Sequence, residues 1–268
     1  MSMFVKLMIV VVVLLASIMA AAYFLRNKLT YFPDKHLVGL PLQMGLEYRD
    51  ANFTSADGTK LAGWIVEKQN ARGWALVCHG NGGNVSYNLE LLNTIAKNGF
   101  NVLIFDYRGF GNSEGTPTEE GLYADTIAAA DFLMEQPGFN PHRFLIYGHS
   151  IGAAAALYCA IERRPSELIL EAPFSCLADA AASHYPAFIV RPVLGRQYDN
   201  MARIGKLLCP LLIVHGMTDG VIPQSLGKKL FDEAKGDKTF ASHPNGHNNA
   251  HDCSEYENAV RDFIDRFY

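Results

Sequence analysis

The rhythm of apolar and polar positions changes along this chain, and each change predicts a different kind of element. From Leu7 to Leu25, 19 residues pass without a charge, which is enough to cross the roughly 30 Å hydrocarbon core of a bilayer as a helix. The run has no polar face, so it does not read as a surface helix of a globular domain. Lys6 and Ala20-Ala21-Ala22 also match the basic start and small-residue cleavage site of a secretory signal peptide. The expectation is a single-pass membrane anchor over residues 1–28, with a cleaved signal peptide as the open alternative. Lys6 on one side and Arg26, Lys28 and Lys35 on the other are too evenly balanced to orient the segment in a membrane.

Residues 30–50 form a connector punctuated by Pro and Gly. Residues 47–68 then alternate around Ala56-Asp57-Gly58, a hairpin signal. Short apolar runs rich in β-branched residues follow, at 75–78, 102–105, 144–147, 168–170, 211–214 and 239–241. Segments of helical length separate them. Unbroken apolar strands alternating with helices predict a mostly parallel sheet covered on both faces, an α/β architecture. Pro223 falls where a first helical turn would begin, and Asp252, Tyr256, Val260, Phe263, Ile264 and Phe267 follow helical spacing near the C-terminus. No repeat or long linker interrupts residues 29–268, which are expected to form one domain.

Composition narrows the possibilities. A chain of 268 residues that is 49% apolar can bury one large core. A net charge of -4 with scattered Lys and Arg excludes a nucleic-acid surface. Five cysteines, at 78, 159, 176, 209 and 253, show neither CxxC spacing nor an even count, so they imply neither a zinc site nor a disulfide framework. No HExxH pattern and no phosphate-loop spacing occurs, and neither metal nor cofactor is implied.

The chemistry begins where the run 144–147 meets Gly148-His149-Ser150-Ile151-Gly152 and then Ala153 to Ala156. Strand, GxSxG and small-residue helix together make a nucleophile elbow, in which glycines relieve a sharp reversal and the serine is held exposed and strained. A serine hydroxyl needs a base, and the base needs a carboxylate to fix its tautomer. Asp219 follows the run 211–214 and His247 follows 239–241, both in loops at strand ends. Asp237 precedes a strand and falls at the wrong edge, while His251 is the rival base. Two backbone N–H groups are needed for a developing oxyanion. One is assigned to Ile151 and the other to Asn81, in the loop His79-Gly80-Asn81-Gly82-Gly83-Asn84. His149 inside the elbow, Phe174 and Phe110 are the expected pocket residues, with core packing the alternative for the two phenylalanines. The apolar stretch 178–194, with His184, Tyr185, Phe188, Ile189 and Val190, is either a flap over the pocket or a sheet-covering helix.

Taken in order, Leu29 to Pro33, the His79 loop, Phe105 to Ser113, the elbow, Leu170 to Phe174 and the Asp219 and His247 loops resemble the α/β-hydrolase superfamily. The nearer likeness is to its compact, membrane-anchored branch of bacterial hydrolases and eukaryotic depalmitoylase-like enzymes. That resemblance implies an α/β-hydrolase fold with a minimal lid. It also implies a serine hydrolase that cleaves carboxylic esters or thioesters of small-molecule or lipid-like acyl substrates through an acyl-enzyme on Ser150. A peptidase of the prolyl-oligopeptidase-related type and a catalytically silent binding protein on the same fold are the competing expectations.

Overall fold

A computed structural model describes residues 2–268. In chain order its elements are α1 (Met3–Thr30), β1 (Phe32–Pro33), β2 (Arg49–Thr54), β3 (Lys60–Val66), β4 (Trp74–Cys78), β5 (Gly82–Gly83), α2 (Leu89–Lys97), β6 (Asn101–Phe105), α3 (Glu119–Met134), β7 (Phe144–His149), α4 (Ile151–Arg163), β8 (Glu167–Glu171), α5 (Leu177–Ala182), α6 (Ala187–Leu194), α7 (Met201–Ile204), β9 (Leu211–Gly216), α8 (Gln224–Glu233), β10 (Lys238–His243) and α9 (Ser254–Asp265).

The unbroken apolar runs have a direct structural cause. On β4, Trp74, Leu76 and Cys78 enter one core while Ala75 and Val77 enter another, and β6, β7 and β9 divide their side chains in the same way. Because successive residues of a strand point to opposite faces, a strand buried on both sides has no polar position to show. The first core is closed by α3, α4, α7 and α8, and the second by α2 and α9.

Eight strands form the sheet in the order β10-β9-β8-β7-β4-β6-β3-β2. Only β3 runs against its neighbours, pairing antiparallel with β2 in the expected hairpin and with β6. The connection from β4 runs to β6 on one side, whereas the connection from β7 runs to β8 on the other. This makes the carboxyl ends of β4 and β7 a topological switch point, where open α/β sheets bind ligands.

The N-terminal helix is the one described element long and apolar enough to cross a membrane. It continues two residues past the expected boundary at 28, and its last residue, Thr30, is buried. Its foot is tied down rather than free. Tyr31 Oη and Tyr198 Oη share a buried 2.6 Å hydrogen bond, and β1 pairs in parallel with β5. The stretch expected to be a plain connector therefore carries a strand, too short for any periodic signal.

Ile146 sits fully buried on the central strand β7. Ile146→Ala removes buried methyl groups at a cost of about 2–5 kcal/mol, and the melting temperature of the full chain in detergent is expected to fall by about 10 °C. A shift under about 2 °C would contradict this packing.

Candidate active site

Five strands of the sheet end side by side in the order β10, β9, β8, β7, β4, and each sends a loop to the same edge. Cys78 is in register with Gly148, His149 with Glu171, and His243 with Gly216. Side chains far apart in the chain are thereby delivered to one place.

Ser150 stands between β7 and α4 with φ +58 and ψ -120. This is a strained conformation for a residue with a Cβ, costing on the order of 1–3 kcal/mol. Its surroundings enforce it. A Cβ on Gly148 would lie 2.4 Å from the carbonyl oxygen of Gly152, and one on Gly152 would lie 2.2 Å from the carbonyl oxygen of Cys78 and 2.3 Å from that of His79. The second glycine therefore serves strand-end packing against β4 and not the reversal itself. Ser150 N–H donates to Glu171 O at 2.9 Å, fixing the turn from the β8 side.

His247 Nε2 lies 3.0 Å from Ser150 Oγ, and His247 Nδ1 lies 2.7 Å from Asp219 Oδ2. An ionised carboxylate can only accept. The Asp219 side therefore requires the proton on Nδ1, which leaves Nε2 to accept from the serine hydroxyl. Burial alone would raise the Asp219 carboxyl, but hydrogen bonds from His215 and His247 and the charge of His247 outweigh it and hold the group well below the usual carboxylate range. The other oxygen, Oδ1, accepts the N–H groups of Val221 and Ile222, each at 2.8 Å. His215, fully buried, donates through Nε2 to Ile222 O at 2.9 Å and stands 3.4 Å from Asp219 Oδ2.

Of the expected oxyanion donors, Ile151 opens α4, where the first N–H groups have no intrahelical partner. Asn81 N–H likewise finds no acceptor among the described residues. The loop comes close to the serine because Gly80 carries no side chain: a Cβ there would stand 3.7 Å from Ser150 Cβ and 3.0 Å from His149 Nδ1. The Asn81 side chain is used elsewhere, donating through Nδ2 to Thr30 O at the end of α1.

His149 and Phe174 line the cavity around Ser150. His149 Nε2 donates to His247 O at 3.1 Å, so it braces the loop that carries the imidazole. Burial lowers its pKa, against an opposing pull from Glu171. Phe110 is a correction: it is fully buried, packs edge-on against His79 and Tyr107, and does not reach the cavity. The turn 106–113 faces the core side of the β4 loop, and the local motif could not distinguish the two sides. His251 lies on the cavity wall but makes no hydrogen bond to Ser150 or Asp219 among the described residues.

Two features escaped the sequence reading. Tyr147 Oη donates to Glu171 Oε2, and Tyr147 and Tyr256 hydroxyls lie 2.7 Å apart, forming a buried network under the elbow. A carboxylate closing an otherwise apolar strand was the available signal. The second is the contribution of α1 to the wall of the cavity, whose volume is about 1210 Å3. Stretch 178–194 forms α5 and α6, which pack on each other, and α6 also packs on α1. Ala180, Tyr185 and Ile189 line one wall, and Ala22, Arg26 and Leu29 of α1 line another.

Strand order, elbow and the placement of the three polar side chains after β7, β9 and β10 define an α/β hydrolase, and the chain belongs to that superfamily. Residues 69–200 match the family described as serine aminopeptidase, S33. The Mycobacterium tuberculosis protein Rv2307c is 35% identical over 226 residues, covering 83% of this chain and 80% of that one. The lysophosphatidylserine lipase ABHD12 of Rattus norvegicus is 35% identical over 185 residues, which span 62% of this chain but only 46% of the lipase. In structure, the Pyrococcus furiosus esterase Pf2001 superposes with a TM-score of 0.76 at 19% identity, covering 89% of this chain and 98% of that one.

Two expectations follow from this geometry. Gly152→Ala forces a Cβ into two carbonyl oxygens and is expected to cost about 3 kcal/mol, read as a fall in melting temperature; an unchanged value would mean that the β4 end moves aside freely. The depressed Asp219 carboxyl lies below its unfolded value of about 3.9. The stability it adds is fully present above about pH 4 and is lost as pH falls through the folded-state value. The melting-temperature gap between wild type and Asp219→Asn should therefore narrow on acidification below about pH 4. A gap that stays constant from neutral pH to pH 2 would show that the carboxylate is not held in this way.

Proposed function

We propose that the protein is a membrane-anchored serine hydrolase that cleaves carboxylic ester or thioester bonds of acyl substrates. The observation that carries this reading is the unbroken relay from Ser150 Oγ to His247 Nε2 at 3.0 Å and from His247 Nδ1 to Asp219 Oδ2 at 2.7 Å. In the first step His247 takes the hydroxyl proton as Ser150 Oγ bonds to the acyl carbon. The carbonyl oxygen becomes an oxyanion that accepts from the N–H groups of Ile151 and Asn81. Collapse of this intermediate expels the alcohol or thiol, which leaves with the proton from His247, and an acyl-serine remains. Water, deprotonated by the same imidazole, then attacks the acyl carbon and releases the acid and the free serine.

The substrate class follows from the cavity. Its volume of about 1210 Å3 exceeds the roughly 300–1,000 Å3 of pockets shaped to one drug-sized ligand, and its α5, α6 and α1 walls are mainly apolar. An acyl chain suits such a space better than a charged peptide. The anchor reading rests on the length and apolarity of α1 and on the absence of any buried residue before its last. The catalytic domain then comprises the residues after it. The lipase named among the relatives is consistent with a lipid-like substrate.

Ser150→Ala is expected to lower kcat on p-nitrophenyl acyl esters by several orders of magnitude and to abolish labelling by a fluorophosphonate. Asp219→Asn, which imposes the wrong imidazole tautomer, should lower kcat by about 10⁴-fold. Full activity in Ser150→Ala would end this reading. Aminoacyl amides belong in the same panel because of the aminopeptidase family match, and hydrolysis of amides in preference to esters would replace the esterase assignment with a peptidase.

A further inference from the structure

The membrane helix contributes to the active-site cavity, and its position there carries a consequence for how substrate arrives. Along α1, Met19, Ala22 and Arg26 are partly shielded and Thr30 is buried, while the residues between them are mostly exposed. This is the three- and four-residue spacing of one helix face. Ala22, Arg26 and Leu29 line the same cavity as Ser150 and His247. The helix is not a passing neighbour, since α6 packs against it and Asn81, Tyr198 and β5 hold its foot.

The depth of these residues can be reckoned from the chain itself. The charge-free run 7–25 is about 28 Å long at about 1.5 Å per residue, close to the thickness of a hydrocarbon core. Arg26 then stands at the polar boundary, and Ala22 lies about 6 Å inside it. Arg26 behaves as a boundary residue, donating to Tyr23 O at 2.9 Å with its guanidinium 4.2 Å over the Tyr23 ring, a pairing of basic and aromatic side chains typical of membrane interfaces. Beside this wall the rim of the cavity is apolar and open to the outside. Among the lining residues, Tyr185 is 64% exposed, Phe32 63% and Leu29 61%. An apolar rim of this kind facing water is unfavourable, whereas against lipid it costs nothing.

Building on the hydrolase reading above, we infer that the cavity opens laterally onto the bilayer between α1 and α6. Its occupant is the acyl chain of a lipid ester or thioester drawn directly from the leaflet in which α1 ends. Ala22 and Leu29 set chain-length preference, because they form the wall the chain slides past. The lipid never passes through water, and only its ester group needs to rise to the level of Ser150.

The test uses the full-length protein reconstituted in phosphatidylcholine vesicles, with butyryl and hexadecanoyl esters of 4-methylumbelliferone. Hexadecanoyl ester carried in the enzyme's own vesicles should be hydrolysed at least tenfold faster than the same amount supplied in separate vesicles; equal rates would overturn lateral passage. Ala22→Trp fills the wall and should lower the ratio of hexadecanoyl to butyryl kcat/KM at least tenfold. Ala20→Trp, about 200° round the helix from Ala22 and exposed, should leave that ratio within twofold. A ratio unchanged in Ala22→Trp, or lowered equally by both variants, would overturn the inference while leaving the hydrolase assignment intact. If Ala22→Trp loses fluorophosphonate labelling, Leu29→Ala replaces it, with a threefold fall in the ratio expected and no change overturning the inference. Failure of the wild-type protein to hydrolyse either ester or to be labelled would instead count against the hydrolase reading.

Discussion

No atom beyond Cα can be placed at Gly148 or Gly152, and the arrangement of the site follows from that exclusion. The two bare positions let α4 start directly against the end of β4, with carbonyl oxygens of Cys78 and His79 about 2.2 and 2.3 Å from where a side chain would begin. Close approach of those two segments brings Gly80 so near the elbow that a Cβ there would stand 3.7 Å from Ser150 Cβ. A single methyl group would separate them. The positive φ of Ser150 is the energetic cost of this closeness, held by the Ser150–Glu171 hydrogen bond and by a sheet that cannot yield on either face.

A second layer of the structure keeps the polar groups in the right charge state. Asp219 is ringed by two amide donors and two imidazoles, so it stays ionised and acts only as an acceptor. His149, by contrast, has its pKa lowered by burial against the opposing pull of Glu171, and it braces the loop of His247 through a hydrogen bond to the His247 carbonyl. Two adjacent histidines thus differ in function because only one of them faces a carboxylate at hydrogen-bonding distance.

The fold was legible because both faces of its strands are buried, which leaves runs such as Ala75 to Cys78 and Leu211 to Val214 with no polar interruption. The grouping of the candidate site was legible where a residue type is tied to a strand end, as Ser150, Asp219 and His247 are. What was not legible depends on contacts between segments without periodicity. The β1–β5 pair is two residues long on each side, the bond from Asn81 to Thr30 joins side chain to backbone across 51 residues, and the Glu171 network needs hydroxyls from Tyr147 and Tyr256. Phe110 illustrates the same limit from the other direction: an aromatic in a glycine-rich loop carries no local mark that distinguishes a pocket wall from a core.

The pairing of β1 with β5 means that α1 is not a tether. A flexible leash would let the globular part tumble above a surface and sample every orientation. Here the helix axis is bonded within a few residues to the loop beside the elbow, through Asp34 N–H to Gly83 O and Asn84 Nδ2 to Asp34 O and His36 O. The molecule therefore holds one attitude toward whatever surrounds its helix, as a keel fixes the heading of a hull, and a tilt of the helix is transmitted to the geometry of the loop.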